Sequence, residues 1–291
     1  MPIDSQRKVW MVTGTSTGFG KRLVSQVLSR GDYVIATVRK PEDFKVNVTE
    51  SDRARLQVLA LDLNDPQESI QGKVDGALAK WGRIDVLVNN AGSAPKALLE
   101  EGGAAFSDTH LSTNITGTIN VTNAVLPNMR DRRSGMVVFL GSRSVWNAEI
   151  PLTAHYIISK AAQHVLGETY ASELKSFGVR VLIFCPGGFR TENIHTRPLV
   201  VHNRIAAYDT FRDEAMVDFN ERWRNAPGDP EKAMKVLVDA INGEGKAKGR
   251  ELPLYLLLGN PTYDAARAYC EKLSQTMASW EDVTKDLDLE E

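Results

Sequence analysis

Two side chains whose spacing could support acid–base chemistry, Tyr156 and Lys160, lie four residues apart at the start of a segment with a helical pattern. On an α-helix, residues at i and i+4 share a face, so this spacing places an ammonium group beside a phenol. A phenol has a pKa of about 10, and a nearby positive charge favours the phenolate and lowers that pKa. The pair is therefore a candidate proton donor and acceptor for carbonyl reduction and alcohol oxidation. An amphipathic side-chain contact is the alternative interpretation.

A glycine-rich turn lies near the start of the chain. Residues 8–13 are typical of a short buried parallel strand, and an amphipathic stretch over residues 21–30 follows the turn. Glycine lets the backbone approach a ligand closely, and the N–H groups that open a helix attract anions. We predict that the turn binds a pyrophosphate; a tight strand-to-helix connection without a ligand is the alternative. The turn comprises Gly14, Thr15, Ser16, Thr17, Gly18, Phe19 and Gly20.

The second predicted strand, residues 33–38, ends in Arg39 and Lys40 instead of an acidic residue. In dinucleotide folds, an acid near this position binds the 2′-hydroxyl group of NAD, whereas an Arg accommodates the 2′-phosphate of NADP. Because a guanidinium group matches the geometry of phosphate, Arg39 is the predicted main ligand and Lys40 its support. The sequence thus favours NADPH over NADH. The alternative is a solvated pair of cations that opens a loop.

Polar or small residues also follow the next two predicted strands. Residues 56–61 end at Asp62 and Leu63, where Asp62 is expected either to accept a hydrogen bond from adenine or to cap a turn. Residues 84–88 are followed by a pair of Asn and two small residues, which suit a strand end that leaves room for a flat ligand. The predicted cofactor ligands there are Asn90, Ala91 and Gly92.

Strands alternate with helices along most of the chain, which predicts a doubly wound α/β fold. Further strands are predicted over residues 135–141, 179–185 and 252–258, and helices over residues 66–81, 104–132, 156–177, 229–242 and 261–280. Residues 41–55 are predicted to form a surface loop. We expect a Rossmann-type sheet of seven mostly parallel strands with helices on both faces, in a single domain over residues 1–291. The polar features fall at the carboxyl ends of the strands, where such sheets bind ligands.

Composition restricts the class of protein. The net charge of −2 and the pI of about 6.3 give no electrostatic reason to expect a nucleic acid or an anionic membrane as partner. Two cysteines, Cys185 and Cys270, are too few for a disulfide framework and are not grouped with histidines as in a zinc site. The first residues lack the apolar core of a signal peptide, and no apolar run approaches the roughly 18 residues that span a bilayer. A cytoplasmic protein is expected.

In its motifs and their order, the chain resembles the short, single-domain branch of the short-chain dehydrogenases/reductases over about residues 8–191. Residues 13–20 are similar to the family's Thr-Gly-x-x-x-Gly-x-Gly turn, and residues 89–92 to its Asn-Asn-Ala-Gly. Asn114, in Asn-Ile-Thr-Gly, matches the active-site Asn, and Tyr156 with Lys160 matches Tyr-x-x-x-Lys.

The resemblance implies a role for each matching residue. Tyr156 would protonate the carbonyl oxygen while Lys160 holds the ribose and lowers the pKa of the Tyr. Asn114 would position a water that links Lys160 to solvent, and Ser142 would orient the substrate oxygen. The turn after the sixth strand would cover the nicotinamide. Its predicted ligands are Pro186, Gly187, Gly188, Phe189 and Thr191.

The chain departs from the family around the active-site serine. The family serine lies thirteen residues before the Tyr, a position that Arg143 occupies here, between Ser142 and Ser144. Ser142 is the preferred candidate because it directly follows the fifth strand, and Ser144 stays open. Trp146 replaces a small residue and is expected either to reshape the pocket or to point into the core.

The C-terminal third is expected to determine the substrate. In the family, the segment over residues 192–227 is a mobile lid, and here it is predicted to be irregular or weakly helical, with aromatic and charged residues. His195 and His202 are interpreted as lid residues, so no metal is assigned. Residues 282–291 form a predicted acidic tail. This third resembles the steroid-dehydrogenase-like members of the family, through the Pro-Gly-Gly-Phe-x-Thr turn, the Gly-Asp-Pro helix start and the Leu-Pro-Leu strand.

The predicted function is reversible, NADPH-dependent reduction of a ketone or aldehyde, so that a small-molecule carbonyl or alcohol is the expected partner. Two other classes compete with it: a regulatory protein that senses NADPH without turnover, and a sugar-nucleotide epimerase or dehydratase. The intact Tyr/Lys pair argues against the first. The glycine spacing and the chain length argue against the second. The resemblance also implies a homo-oligomer, a dimer or tetramer, paired through the helices predicted near residues 104–132 and 156–177.

Overall fold

The sheet of the protein contains seven strands, which alternate with helices along the chain. The computed structural model describes residues 6–192 and 196–289. The strands are β1 (Val9–Val12), β2 (Tyr33–Val38), β3 (Leu56–Ala60), β4 (Val86–Asn89), β5 (Gly135–Leu140), β6 (Val179–Pro186) and β7 (Tyr255–Leu258). The α-helices are α1 (Gly18–Leu28), α2 (Glu50–Arg53), α3 (Gln67–Trp81), α4 (Leu99–Leu111), α5 (Gly117–Asp131), α6 (Ala154–Leu174), α7 (Asp209–Arg224), α8 (Pro230–Asn242) and α9 (Asn260–Thr284).

The strand order is β3-β2-β1-β4-β5-β6-β7, and neighbouring strands pair in parallel. The chain starts in the middle of the sheet, builds outward through β2 and β3, and then crosses to β4 on the other side of β1. This reversal creates a crevice at the carboxyl ends of β1 and β4, where open α/β sheets bind ligands. The predicted Rossmann-type, doubly wound fold is confirmed.

The sheet is buried on both faces. All four residues of β1 are buried, as a parallel strand between two helical layers requires. One apolar core lies between the sheet and helices α1 and α8, and contains Val27 and Leu237. The other lies against α3 and α5, and contains Ile70 and Val125. The two cores fix the helices on opposite faces, so that the loops at the strand ends are held between rigid elements.

The region predicted as one helix over residues 104–132 consists of three parts. Helix α4 begins at Leu99 and is kinked at Gly103, whose φ of 69° is open mainly to glycine. A single π-helical turn, Ser112–Thr116, then separates α4 from α5. The sequence prediction placed the start too late because a Gly-Gly pair favours a break, whereas the chain uses it as a kink.

The segment predicted as an irregular lid contains the regular 16-residue helix α7. The helix buries Arg212, Ala215 and Phe219, and its remaining surface is charged, so an apolar pattern is barely visible in the sequence. Arg212 forms a buried ion pair with Glu101 of α4, in which its Nε donates to Oε2 over 2.8 Å. The Arg212 guanidinium holds the pKa of that carboxyl below its usual range. Helix α7 is therefore anchored to the body of the protein.

Other boundaries differ by smaller amounts. The loop predicted over residues 41–55 contains the short helix α2, which begins at a capping box between Thr49 and Asp52. Strand β7 begins at Tyr255, after the proline that was expected to open it, and α9 continues to Thr284, into the predicted acidic tail. Within residues 6–192 and 196–289, no helix is both long enough and apolar enough to cross a bilayer.

Helix α6, which carries Tyr156 and Lys160, approaches the sheet closely at Gly167. A Cβ atom at this position would lie 2.5 Å from Cγ1 of Ile183, a fully buried residue of β6. Such a contact is too short, and a buried isoleucine has little room to move. Gly167 therefore sets the distance between α6 and the sheet.

We expect Gly167→Ala to lower the free energy of unfolding by about 1–3 kcal/mol, the usual cost of overpacking a core. The matched control is Gly76→Ala on α3, where nothing lies within 4 Å of the added Cβ. There the change should stabilise the protein by about 0.5–1 kcal/mol, because alanine is the better helix former. Chemical denaturation of both variants measures the two effects. Equal effects at the two positions would contradict the role assigned to Gly167.

Candidate active site

Tyr156 lies in the first turn of α6, and Lys160 follows one turn later. The Lys160 Nζ lies 5.7 Å from the centroid of the Tyr156 ring. It donates hydrogen bonds to the carbonyl oxygen of Leu140, at the end of β5, over 2.6 Å, and to Oε1 of Gln163 over 2.9 Å. Burial lowers the pKa of Lys160 to about 8. The ammonium group is thus fixed between the sheet and its own helix.

The surroundings of Tyr156 differ from those that the sequence predicted. Burial is the largest influence and raises the pKa of the Tyr156 phenol, while the Ser142 side chain and the Arg143 charge act in the opposite direction. Lys160, whose hydrogen bonds go to Leu140 and Gln163, is not among the groups that lower this pKa. The phenol is therefore protonated at neutral pH and suited to donate a proton.

Ser142 is placed beside Tyr156 by the way β5 ends. Its backbone N–H donates to Nε2 of His164 over 3.2 Å, and its Oγ accepts from the backbone N–H of Ser144 over 3.2 Å. Burial lowers the pKa of His164 to about 4, so this ring is a neutral acceptor at physiological pH. The geometry favours Ser142 over Ser144 as the serine that acts on Tyr156.

Asn114 lies in the π-helical turn, fully buried. Its side chain bonds Ser93 and Ser159 and does not face the cleft: Nδ2 donates to Ser159 Oγ over 3.0 Å, and Oδ1 accepts from the Ser93 N–H over 2.9 Å. Its backbone carbonyl accepts from Nε2 of Gln163 over 2.9 Å. The π-helical turn shifts the usual ladder of backbone hydrogen bonds, and such turns are common at functional sites.

Gln163 connects Lys160 with Asn114, the residue expected to position a water that links Lys160 to solvent. The amide is completely buried, with Oε1 on the Lys160 ammonium group and Nε2 on the Asn114 carbonyl oxygen. This direct bridge differs from the expected role of Asn114 in positioning a water. Sequence reasoning missed Gln163, although Tyr156, Lys160 and Gln163 follow the i, i+4, i+7 spacing of one helix face.

The glycine-rich turn is built by close contacts. Gly14 and Gly18 have φ angles of 70° and 62°. A Cβ on Gly14 would lie 2.8 Å from Cα of Ala91, and one on Gly20 would lie 2.3 Å from the carbonyl oxygen of Gly14. The Asn90 side chain fixes the turn by donating to the carbonyl oxygen of Gly14 over 2.8 Å. Gly20 thus packs inside the turn, while a Cβ on Gly18 would make only an ordinary contact with Thr191, at 3.9 Å.

A carboxylate already lies where the turn was predicted to bind an anion. Oε2 of Glu192 accepts from the Gly18 N–H over 3.0 Å and from Arg22 Nη1 over 3.0 Å. Arg22 lowers the pKa of Glu192 to about 2, so this group is an anion at physiological pH. The N–H groups at the start of α1 therefore have the geometry and charge to bind an anion, and the turn fits the phosphates of a dinucleotide.

A cleft with a volume of about 550 Å³ runs along the carboxyl ends of the strands, within the usual range for ligand sites. It brings together most of the residues predicted from the sequence: Gly14, Ser16, Thr17, Gly18, Phe19, Arg39, Asp62, Leu63, Asn90, Ala91, Gly92, Tyr156, Lys160, Pro186 and Thr191. A smaller polar depression of about 340 Å³ lies at the opposite edge, where the strands begin, and is not associated with these residues.

Other predicted site residues do not line the cleft: Thr15, Gly20, Lys40, Asn114, Ser142, Gly187, Gly188 and Phe189. Thr15 is buried and donates to the carbonyl oxygen of Thr37, so it holds the turn to β2. Phe189 packs against the ring of Phe19 at 5.6 Å between centroids. Thr15 and Phe189 thus lie behind the cleft wall and support the site.

The structure shows the contacts of two residues for which the sequence left alternatives open. Asp62 accepts a hydrogen bond from the Asn64 N–H over 2.9 Å and so caps its turn, while it also lines the cleft. Trp146 packs against His164 and Tyr255, with centroids 5.3 Å and 5.9 Å apart, and does not line the cleft. Its bulk is therefore accommodated by packing beneath the site.

The cleft has additional walls that the sequence did not indicate, formed by Phe106, Thr109, His110 and Arg197. Burial, followed by the charge of Lys160, lowers the pKa of His110 to about 4. Its Nδ1 lies 2.8 Å from Ser93 Oγ. His202 packs against Phe106, and His195 lies outside the described residues. No group of three His, Cys, Asp or Glu side chains that could hold a metal occurs in the described part of the chain.

The chain was compared with known proteins. The family model for short chain dehydrogenase matches residues 8–198. Oxidoreductase BOA17 of Botryotinia fuckeliana is 30% identical over 284 residues, which cover 95% of this chain and 98% of the relative. This agreement extends beyond the shared cofactor turn to nearly the whole length of both proteins.

Solved structures agree with that relationship. A short-chain dehydrogenase from Streptomyces avermitilis has a TM-score of 0.84 and 31% identity, and the match covers 98% of this chain and 100% of the other. A short chain dehydrogenase from Burkholderia cenocepacia in complex with NADP has a TM-score of 0.68 at 22% identity, covering 96% and 98%, and shares the fold. The chain therefore belongs to the short-chain dehydrogenase family and is an oxidoreductase.

Proposed function

We propose that the protein reduces a ketone or aldehyde with NADPH and oxidises the corresponding alcohol in the reverse direction. The observation that carries the proposal is the position of Tyr156, a half-buried and protonated phenol that lines the same cleft as Arg39. The dinucleotide, when bound, supplies the hydride. The residues of the chain supply the proton and hold both reactants.

Tyr156 donates its phenolic proton to the carbonyl oxygen of the substrate. Burial raises its pKa, so the phenol carries the proton at neutral pH and reduction is the favoured direction. The Ser142 side chain, which lowers the pKa of Tyr156, stabilises the phenolate left after transfer. Oxidation needs that phenolate at the start, so it should be faster at higher pH.

Lys160 is assigned to the ribose, and Gln163 keeps its ammonium group in place. Because the pKa of Lys160 is about 8, the group is mostly charged at neutral pH and loses its proton as the pH rises above 8. A neutral amine holds the cofactor less tightly. The rate of reduction should therefore decline on the alkaline side of that value.

The choice of NADPH over NADH rests on Arg39 in this proposal. Its guanidinium group is exposed, lines the cleft directly after β2, and has no acidic neighbour at that strand end. Solved structures of this fold bind NADP in one case and NAD in another, so the fold alone does not favour either cofactor. The charge at the end of β2 is the feature that distinguishes them.

Tyr156→Phe is the direct test of the proposal. Removal of the proton donor should lower kcat for carbonyl reduction by about 10²- to 10⁴-fold, the usual contribution of general acid catalysis. NADPH consumption should be measured against aldehydes, cyclic and aromatic ketones, and oxo acids. Tyr170→Phe on the same helix is the matched control, because Tyr170 bonds Asn123 at the surface. A loss of less than tenfold for Tyr156→Phe would contradict the assignment.

Arg39→Asp should shift the cofactor preference toward NADH. The loss of the phosphate contact, combined with charge repulsion, should change the ratio of the NADPH and NADH dissociation constants by about ten- to a hundredfold. Fluorescence titration of each cofactor gives both constants without turnover. Lys40→Ala serves as the comparison. An unchanged ratio in Arg39→Asp would mean that another residue binds the 2′-phosphate.

Changes at Gln163 should move the alkaline limb of the pH profile of carbonyl reduction, that is, the pH above which the rate declines. Gln163→Leu removes an acceptor from the ammonium group and should lower the pKa of Lys160, and with it the limb, by about one pH unit. Gln163→Glu places a carboxylate there and should raise the limb. Both variants lose the amide donor to Asn114, so only opposite shifts report the contact with Lys160. A limb unmoved in both variants would exclude this role.

A further inference from the structure

Arg143 occupies a position close to the reacting groups. It follows Ser142 directly and opens a 3₁₀ turn, Arg143–Trp146, at the end of β5. Its Cδ atom lies 3.5 Å from the position that a Cβ on Gly187 would occupy, so its side chain runs along the turn predicted to cover the nicotinamide. The side chain is half-buried and lies near enough to Tyr156 for its charge to lower the pKa of the phenol.

The guanidinium group of Arg143 has no carboxylate partner. Within the described residues it forms neither an ion pair nor a side-chain hydrogen bond. Comparably buried arginines elsewhere in the protein are paired: Arg22 with Glu192, Arg30 with Asp239, and Arg132 with Asp85. An unpaired cation in a partly buried position is unfavourable, and the fold keeps this one beside Tyr156.

The charged groups that face Arg143 increase this imbalance. The charge of Arg222, near the end of α7, repels that of Arg143. Arg222 also forms no ion pair or side-chain hydrogen bond within the described chain. Glu101 and Glu192 are paired with Arg212 and Arg22 instead, and Asp62, which lines the cleft, follows β3.

We infer that the substrate is a carbonyl compound with an anionic group, a carboxylate or a phosphate, which binds to the guanidinium group of Arg143 while its carbonyl oxygen lies at Tyr156. The planar fork of donors on an arginine matches both anions. Arg222 of α7 adds a second positive charge. This inference rests on the proposed carbonyl reduction and specifies its substrate class.

The experiment compares pairs of substrates that differ in one charge: 2-, 3- and 4-oxo acids of four to six carbon atoms and the methyl ester of each. The wild-type protein should show a higher kcat/KM with the acid than with the ester. Arg143→Gln should lower kcat/KM for the acid by about ten- to a hundredfold, mainly through KM. The same variant should change kcat/KM for the ester by less than threefold. Phosphorylated oxo compounds of similar size distinguish a phosphate from a carboxylate.

Control variants separate this effect from a general loss of structure. Arg224→Gln, two residues beyond Arg222 on α7, removes a positive charge on the same helix and should not alter the ratio between acid and ester. Arg222→Gln should lower kcat/KM for the acid by a smaller factor than Arg143→Gln does. The dissociation constant of NADPH should stay unchanged in Arg143→Gln. If Arg143→Gln bound NADPH more weakly, or lost kcat/KM equally with the acid and the ester, the inference would be overturned.

A binding measurement distinguishes failure of this inference from failure of the proposed reaction. The acids and esters are titrated calorimetrically into the complex of the enzyme with NADP⁺, where no turnover occurs. Tight binding of an acid that is lost in Arg143→Gln supports the anion site even if no carbonyl is reduced. Equal affinity for acid and ester, unchanged in Arg143→Gln, would show that the site does not select an anion, whatever the activity.

Discussion

The arrangement of the site depends on the hydrogen bonds of the Lys160 ammonium group. One bond reaches the carbonyl oxygen at the end of β5, and a second reaches Gln163, whose amide continues to the backbone of Asn114. Three elements that are distant in sequence, namely β5, α6 and the π-helical turn, are thereby joined around one buried charge. Because a buried ammonium group is stable only when its donors are satisfied, these contacts also restrict where Tyr156 can lie.

The charged side chains around the reacting groups are mainly cations. The two histidines nearest the reacting groups, His110 and His164, are kept neutral by burial, which lowers the pKa of each to about 4. Cys185 is likewise kept protonated, because burial raises its pKa to about 12. The charges that act on the chemistry therefore belong to Lys160 and the arginines. A site of this kind favours anions, both in the cofactor and in the substrate.

The segment that the sequence presented as a mobile lid is held in place at its helix. The buried pair between Glu101 and Arg212 ties α7 to α4, and Glu101 also accepts from the backbone N–H of Ile205 over 2.9 Å. The kink at Gly103 lets α4 approach α7 in this way. A rigid wall with two unpaired arginines nearby can impose a fixed binding geometry on a small substrate, which costs less entropy on binding than ordering a flexible loop.

The sequence alone was sufficient for the fold and for the general position of the site. Apolar strands and amphipathic helices in alternation predict a parallel sheet, and a parallel sheet aligns the carboxyl ends of its strands, so residues as distant as Gly14, Asn90 and Tyr156 were expected together. Helices α4 and α7 were predicted less accurately, because glycine and charged residues obscure their apolar pattern.

Tertiary structure decided which side chains face the cleft and which support it. Ser142, Gly20 and Phe189 belong to predicted motifs but lie behind the wall, since their orientation is set by packing partners from other elements. The hydrogen bond from Gln163 to Asn114 was also invisible in the sequence, because it joins residues 49 positions apart. Sequence spacing determines which chemistry is available along one helix face, whereas the pairing of charges, as at Arg143, depends on every element that folds against them.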